Sequence, residues 1–155
     1  MYTQEFLQTL IQQEAALRFS SFDYEDAYAL GTMLREAGKK EPQPIAVRVV
    51  LDDLMVYQSF LPGTGLNNSQ WMDRKYATVC QTHHSSLRAA VERELLGVQE
   101  PWQEDEVRFA FCGGGFPLIV DGQFRGAVIV SGLPHLEDHR CLTDTLAAYL
   151  KAVQG

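Results

Sequence analysis

The stretch FPLIVDGQFRGAVIVS, residues 116–131, decides the fold of this chain. It contains two β-rich runs, residues 116–120 and 124–131, and the segment between them begins with Asp121-Gly122. Asp-Gly suits the two central positions of a type I′ turn, so the stretch predicts a β-hairpin. Because residues 127–130 are apolar on both faces, the second strand needs cover from both sides. We therefore expect this strand in the centre of a sheet, with helices above and below.

A second pair of β-rich runs precedes this hairpin, at residues 45–51 and 54–61, on either side of Asp52-Asp53. The two aspartates form a short polar break, which predicts another hairpin turn. In residues 107–111 large apolar side chains alternate with Arg108 and Ala110, which favours a fifth short strand, with one helical turn as the alternative. The four longer runs therefore predict an antiparallel sheet, to which residues 107–111 would add a fifth strand.

Apolar residues recur at helical spacing in five further segments, and capping residues stand near their starts. The order of elements is ααββαα(β)ββα, which predicts an α+β fold with helices on both faces of the sheet. No repeat, low-complexity tract or linker divides the chain, so residues 1–155 are expected to form one domain. The predicted helix starts are Thr3, Asp23, Asn68 or Ser69, Ser86 and about Asp138, and the first, second and fourth helices are expected to end near residue 18, Gly38 and Gly97.

The composition excludes several classes of partner. Thirteen Lys and Arg stand against twenty Asp and Glu, and the net charge of −7 opposes binding to the phosphates of DNA or RNA. No apolar run approaches the roughly 18 residues of a membrane span, and the first residues do not match a signal peptide. Three widely spaced cysteines without a C-x-x-C pair suit reduced thiols. We expect a cytoplasmic protein without nucleic-acid or membrane partners.

The segment GGGFPLIVDGQFRGAVIVSGLPHLEDHRCLTDTLAAYL, residues 113–150, resembles the haem-degrading domain family typified by GlcG-like and HbpS-like proteins. The shared features are a Gly-Gly-x-Pro strand opening, a second strand that ends in Val-Ser-Gly, and an acidic start to the last helix. A branch of short, single-domain cytosolic proteins in that family is similar to the chain almost end to end. That similarity includes RFSSFDYEDAYALG at residues 18–31 and LPGTGLNNSQWMDRK at residues 61–75.

The resemblance implies a profilin-like, three-layer α/β/α fold with a five-stranded antiparallel sheet. It also implies homo-oligomers, dimers or larger, and in some relatives the binding of haem, iron or a corrinoid; it implies no activity for the closer branch. Relatives in this branch often have a histidine where this chain has Cys112, and the glutamate pair associated with iron has no match at Glu92, Glu94 or residues 104–106. No haem ligand therefore carries over to a residue of this chain.

Glycines precede the hairpin that decides the fold. Gly113, Gly114 and Gly115 allow positive φ and close backbone approach, so a ligand could reach the N–H groups before Phe116-Pro117. A tight structural turn is an equal alternative, because three glycines without a following helix are not a nucleotide-binding fingerprint.

Four more residues complete the expected ligand-binding set apart from the histidines. Ser131 and Gly132 lie where the last strand ends, and Trp71 and Lys75 belong to the middle motif of the resemblance. Trp71 and Trp102 could instead anchor a subunit interface, where large aromatic side chains carry binding energy, or fill the core.

His135 and His139 are four positions apart, a spacing that on a helix gives both imidazoles reach to one metal ion. Because His135 follows Pro134, it is expected to precede the helix. A capping Asp138 with hydrogen-bonded or solvated histidines is favoured over a closed metal site. Both histidines are included in the predicted site, with His139 as the candidate metal ligand or proton shuttle.

A haem site needs an apolar slot, an axial ligand and a cation for the propionates. The candidate ligands are His139, Cys112 and Met72, and the candidate cations are Lys75 and Arg74. Met72 and Cys112 are at the same time typical of packed core residues.

These observations predict an oligomeric protein with a small-ligand pocket between the glycine run, Ser131-Gly132 and a neighbouring copy. No cofactor is assigned, and haem or a related tetrapyrrole is the candidate ligand. Catalysis is left open, since haem or iron with an open coordination position would support oxidative chemistry. The alternative is a non-catalytic protein-interaction module, in which Trp71, Trp102 and the glycines serve assembly.

Overall fold

The sheet is built around the hairpin at Asp121-Gly122. In the computed structural model, which describes residues 1–154, strands β3 (Gly115–Val120) and β4 (Gln123–Ser131) are antiparallel neighbours. Both turn residues have positive φ angles, 50° at Asp121 and 75° at Gly122, as a type I′ turn requires. The predicted hairpin is confirmed.

A second hairpin completes the sheet. Strands β1 (Ala46–Leu51) and β2 (Leu54–Phe60) are joined by Asp52 and Asp53, whose φ angles are 52° and 63°. The strand order is β2-β1-β4-β3, and every neighbouring pair is antiparallel. Strand β4 therefore has a partner on each side, which confirms its predicted interior position.

The expected fifth strand is absent from the described residues, where the sheet has four strands. The chain instead forms a 3₁₀ turn at Pro101–Glu104, followed by further turns. The alternating aromatic residues pack on a tryptophan rather than on the sheet: Trp102 lies 5.0 Å from Phe109 and 5.7 Å from Phe111 between ring centroids. The prediction of a strand at residues 107–111, and with it the five-stranded sheet, was wrong.

Five helices surround the sheet, and their starts follow the predicted caps in part. The Thr3 and Asp23 side chains accept hydrogen bonds from the N–H groups of Phe6 and Asp26, which confirms both caps. None of the helices described over residues 1–154 combines the length and apolar character needed to cross a bilayer. The helices are α1 (Gln4–Ala16), α2 (Tyr24–Gly38), α3 (Leu66–Thr82), α4 (Ser86–Leu96) and α5 (His135–Gln154).

Three helices begin before the predicted position. Helix α3 starts after Gly65, because the Asn68 side chain bonds back to the Gly65 N–H from inside the first turn. Ser85 rather than Ser86 caps α4. Helix α5 begins at His135, directly after Pro134, whose carbonyl accepts from the N–H groups of residues 137 and 138.

Helices cover both faces of the sheet. Along β4, Val128 and Val130 pack with α2 and α5, whereas Ala127 and Ile129 pack with α3. All four side chains are 0% exposed, which explains why this strand is apolar on both faces. Helices α1 and α4 pack on each other through a separate apolar cluster, whose buried members are Leu7, Leu10, Leu87 and Val91.

Candidate functional site

A cavity of about 400 Å³ lies at the end of β4, where the chain leaves the sheet at Ser131 and enters α5 at His135. This volume falls within the range of small-molecule sites, about 300–1,000 Å³. Helix α3, the segment before β3 and the β4–α5 connection form its walls. The lining residues are Asn67, Asn68, Trp71, Lys75, Cys112, Ser131, Gly132, Leu133, His135 and Asp138.

A buried ion pair forms the floor of the cavity. The Lys75 Nζ lies 3.1 Å from the Asp138 Oδ2, and both side chains are 3% exposed. The Lys75 ammonium also donates to the Val130 carbonyl at 2.8 Å, and Asp138 accepts from the N–H groups of Leu133 and Gly132. Burial raises the pKa of the Asp138 carboxyl, while the neighbouring ammonium acts in the opposite direction. Within residues 1–154 Lys75 has these two acceptors, so one of its three ammonium protons stays unpaired.

Glycine makes room for this lysine. Gly114 has a φ of 124°, and a Cβ built there would lie 2.5 Å from both the Lys75 Nζ and the Val130 carbonyl oxygen. A side chain at this position would therefore displace the ammonium from its acceptor. Gly114, which directly precedes β3, is thus required by the floor of the cavity.

His135 stands at the cavity wall with a defined tautomer. The Gly113 N–H donates to the Nδ1 of His135 at 3.1 Å. A backbone N–H can only donate, so Nδ1 is the acceptor and the neutral ring carries its proton on Nε2. Burial, followed by the charge of Lys75, lowers the pKa of His135 and favours this neutral form. The imidazole therefore offers a hydrogen-bond donor, Nε2–H, on the side of the ring away from Gly113.

Trp71 borders the open side of the cavity. Trp71 is 36% exposed, and the Arg74 guanidinium lies over the indole ring, 4.3 Å from its centroid. Arg74 is itself held by the carbonyls of Glu106 and Phe109. Trp71 thus presents a fixed aromatic surface beside the polar floor.

Cys112 lies half-buried in the cavity wall. Burial raises the pKa of its thiol, with a smaller lowering by Lys75. The side chain is therefore a neutral thiol near pH 7, and not the thiolate that binds metals or attacks substrates.

The structure brings together five of the predicted site residues. Trp71, Lys75, Ser131, Gly132 and His135 all line the cavity. They come from α3, the end of β4 and the start of α5, which meet although they are far apart in the chain.

The other predicted residues lie behind the cavity wall. Gly113 packs on α5, because a Cβ there would lie 2.3 Å from the His135 carbonyl oxygen, and Gly115 donates to the Ser86 hydroxyl at 2.9 Å. The close approach at the glycine run is thus made by the protein's own helices. The residues that do not line the cavity are Gly113, Gly114, Gly115, Phe116, Pro117 and His139, all of them buried.

His139 lies between α5 and α1. It is 6% exposed, and its Nε2 lies 2.7 Å from the Gln13 amide oxygen, so Nε2 carries the proton. Its Nδ1 is buried without a hydrogen-bond partner among residues 1–154, and burial lowers the pKa of the ring to about 4. The imidazole of His139 is therefore neutral and turned toward α1.

The described residues do not suit coordination of a metal or a haem iron in the cavity. They contain no group of three or more His, Cys, Asp or Glu side chains arranged to hold a metal ion. The Nε2 of His135 is protonated, Cys112 is a neutral thiol, and the Lys75 amine is an ion-paired ammonium. The cavity offers hydrogen-bond donors instead of the free electron pair that an axial ligand needs.

Sequence reasoning missed several lining residues. Asp138 was predicted only as a capping residue, because its partner Lys75 is 63 positions away and no local pattern connects the two. Asn67 and Asn68 belong to the LPGTGLNNSQWMDRK motif, which was the one available signal for them. Leu133 carried no signal beyond its place after Ser131-Gly132.

Fold and site together define a class of molecule: a mixed α/β protein whose antiparallel sheet carries a cavity of small-molecule size at the end of a central strand. The family model of the haem-degrading protein HbpS-like family matches residues 22–147, and the chain belongs to this family. It is 36% identical over 146 residues to a UPF0303 protein of Brucella anthropi, covering 91% of this chain and 85% of that protein. A UPF0303 protein of Brucella melitensis biotype 2 is 35% identical over 144 residues, with the same coverage.

Solved structures share the fold. The crystal structure of the Ybr137w protein superposes with a TM-score of 0.85 at 27% identity, over 96% of this chain and 90% of that chain. The crystal structure of a PduOC:heme complex gives 0.72 at 18% identity, over 83% and 94% of the two chains. HbpS gives 0.68 at 20% identity, over 86% and 92%. The mixed α/β architecture with an antiparallel sheet is therefore that of the family.

Proposed function

We propose that this protein binds a small planar ligand of the tetrapyrrole class, haem or a relative, in the cavity at the end of β4. Membership of the haem-degrading HbpS-like family supports the ligand class, and so does the likeness to PduOC, which was solved as a complex with heme. The cavity supports the location, since its volume of about 400 Å³ is adequate for a small molecule.

The observation that carries this proposal is the pairing of Trp71 with the floor formed by Lys75 and Asp138. An indole face held by Arg74 favours stacking of a flat aromatic ligand. The buried charges below it fix the orientation of any polar substituent. A flat ring system with polar groups at its edge satisfies both features.

A second copy of the chain is proposed to cover the open side. Exposed apolar side chains lie at or next in sequence to lining residues: Trp71 is 36% exposed, Leu66, beside Asn67, 74%, and Leu136, beside His135, 45%. Covering them would stabilise an assembly by roughly 25 cal/mol for each Å² of apolar surface removed from water. Light scattering coupled to size exclusion should then show a dimer or larger species, which Leu66→Lys with Leu136→Glu converts to a monomer.

Titration of the purified protein with haemin tests the ligand class. The expected result is a saturable change in the Soret band, with quenching of tryptophan fluorescence at the same stoichiometry. Trp71→Ala should weaken binding about tenfold, because a lost ring contact of about 1.4 kcal/mol has that effect on Kd. The matched control Trp102→Phe removes the other indole while keeping an aromatic ring beside Phe109 and Phe111.

Two outcomes would contradict the proposal. Absence of a saturable Soret change in a folded, assembled protein would favour the interaction module over a ligand-binding protein. Equal weakening by Trp71→Ala and Trp102→Phe would place the ligand outside this cavity.

A further inference from the structure

His135 supplies the imidazole in this cavity, and its hydrogen bonds decide whether it can bind iron. A histidine that ligates a metal through Nε2 normally donates its Nδ1–H to an acceptor. At His135 the group facing Nδ1 is the Gly113 N–H, itself a donor, at 3.1 Å. Ligation through Nε2 would place two protons against each other. His135 is therefore built to donate a hydrogen bond, and not to bind iron.

The floor of the cavity also favours an electron-rich partner. Asp138 is already bonded to Lys75 and to two backbone N–H groups, from Leu133 at 2.9 Å and Gly132 at 3.4 Å. Its charge is thus largely satisfied by the protein, whereas Lys75 keeps one unpaired ammonium proton among the described residues. A ligand atom that reaches the floor gains most if it is a hydrogen-bond acceptor.

A carboxylate matches this arrangement. It has two acceptor oxygens and no donor, and its hydrogen bonds to charged groups are about twice as strong as neutral ones. Lys75 and His135, each with a donor proton not used by the described residues, line the same cavity as Trp71. The combination selects a flat ligand that carries an acid group at its edge.

We propose, on the basis of the tetrapyrrole-class function above, that the cavity recognises its ligand through a carboxylate bound by Lys75 and His135, and that no side chain of this protein ligates iron. The planar body of the ligand rests against Trp71. A metal-free tetrapyrrole dicarboxylate is thus as good a ligand as its iron complex.

The test compares ferric haemin with metal-free protoporphyrin IX on the full chain, by quenching of tryptophan fluorescence. The expected Kd values agree within about threefold, and bound haemin shows no low-spin, imidazole-ligated spectrum in electron paramagnetic resonance. Binding of haemin alone, with a low-spin histidine signature, would overturn this inference and leave the proposed function intact. Binding of neither molecule would overturn both.

Masking the acid groups tests the carboxylate directly. Protoporphyrin IX dimethyl ester has the same ring without ionised carboxylates, and its Kd should be at least about tenfold higher than that of the diacid. Equal binding of ester and diacid would overturn the carboxylate contact, whatever the result for iron.

Variants at His135 separate a donor from a metal ligand. In His135→Gln the amide oxygen takes over the bond from Gly113, while the amide nitrogen donates into the cavity and cannot serve as an imidazole ligand. This variant should keep affinity for both molecules within about threefold, whereas His135→Phe should lose about tenfold. Loss of haemin binding in both variants would identify His135 as an iron ligand instead. His83→Asn is the matched control, because His83 has a φ of 61°, which asparagine tolerates, and lies outside the cavity.

The lysine is tested without leaving a buried charge unpaired. The double variant Lys75→Met/Asp138→Leu removes both charges and keeps an apolar floor, and its thermal melt reports whether it folds. In the folded double variant, the preference for the diacid over the ester should fall at least about threefold, because only the His135 Nε2–H still donates. An unchanged preference for the diacid would overturn the role of Lys75. Lys39→Met is the matched control, since that side chain is 50% exposed.

Discussion

The two faces of the sheet differ in what they bury. The face toward α2 and α5 carries a large apolar cluster with side chains from β1, β3, β4 and both helices. The face toward α3 has a smaller apolar cluster and, beside it, two buried cations, Arg48 at 4% and Lys75 at 3% exposure. Burial of methyl groups stabilises a fold, whereas burial of charges costs free energy unless they are paired. One face thus supplies stability and the other carries the candidate chemistry.

The two buried cations differ in turn. Arg48 bonds to Gln58, Ser69 and Asp73, and the Asp73 side chain is 65% exposed, so this bridge ties α3 to β1 and β2 and reaches solvent. Lys75 pairs with a carboxylate that is 3% exposed and lies under the cavity. The two charges on the α3 face therefore lie in different surroundings, and only Lys75 lies at the cavity where we propose that a ligand binds.

The largest expected effect is the loss of one partner of the buried pair. Lys75→Met leaves the Asp138 carboxylate buried and uncompensated, so the free energy of unfolding should fall by about 3–5 kcal/mol near pH 7. Urea denaturation measures this loss. The double variant Lys75→Met/Asp138→Leu should recover most of it, and a double variant as unstable as the single one would contradict the pairing.

The same variant has a defined pH dependence. Burial raises the pKa of Asp138 in the folded protein, and removal of Lys75 raises it further. A carboxyl with a raised folded-state pKa contributes most to the free energy of unfolding at low pH, and this contribution is lost as pH rises through the folded-state pKa. As pH falls from about 7 to about 5, the stability of Lys75→Met relative to that of the natural chain should therefore increase. If the difference in free energy of unfolding stayed constant across that interval, the buried Asp138 carboxylate would not be the group that destabilises the variant.

A core variant tests the opposite face. Leu142 is 0% exposed in the α2/α5 cluster, so Leu142→Ala should lower the free energy of unfolding by about 2–5 kcal/mol through the cavity it creates. The affinity for protoporphyrin IX should stay the same in the folded fraction. Weakened binding would show that the two faces are not separate in function.

Gly114→Ala probes the boundary between fold and site. A non-glycine residue at a φ of 124° is strained, and its Cβ would contact the Lys75 ammonium. We expect a loss of about 1–3 kcal/mol in stability, accompanied by weaker binding of protoporphyrin IX. Gly122→Ala is a useful comparison, because Gly122 has a positive φ of 75° but no heavy atom within 4 Å of the added Cβ. It should cost stability without changing affinity.

The smallest expected effect is a pH dependence of affinity. The pKa of His135 is lowered in the free protein, and a further proton on its ring would go to Nδ1, which accepts from the Gly113 N–H. A carboxylate bound at the Nε2–H therefore takes up no proton, and the affinity for protoporphyrin IX should change less than about twofold between about pH 7 and about pH 6, measured by fluorescence titration. A rise of about tenfold toward pH 6 that His135→Gln abolishes would show that His135 binds as an imidazolium and would contradict the assignment.

The sequence predicted the sheet well where local chemistry decides the structure. Asp121-Gly122 and Asp52-Asp53 adopt the left-handed conformations that hairpin turns need, and Thr3 and Asp23 cap their helices. The prediction of a fifth strand was wrong because the alternating Phe109 and Phe111 pack on Trp102 instead of on a neighbouring strand. Alternation alone does not distinguish these two partners.

The site was predicted only in part, because its central contact is non-local. Lys75 and Asp138 are separated by 63 positions, and each is unremarkable within its own helix. The glycine run predicted either a ligand contact or a tight structural turn, and in the structure Gly114 makes room for the Lys75 ammonium and Gly113 for α5. A glycine in the sequence indicates that another group packs closely against the backbone. Which group packs there depends on tertiary structure.

The most direct measurement is a crystal structure of the protein with protoporphyrin IX. We predict a propionate oxygen within about 3 Å of both the Lys75 Nζ and the His135 Nε2, with the macrocycle stacked on Trp71. A macrocycle bound elsewhere, or one whose propionates point to solvent while its centre faces His135, would contradict recognition through the carboxylate.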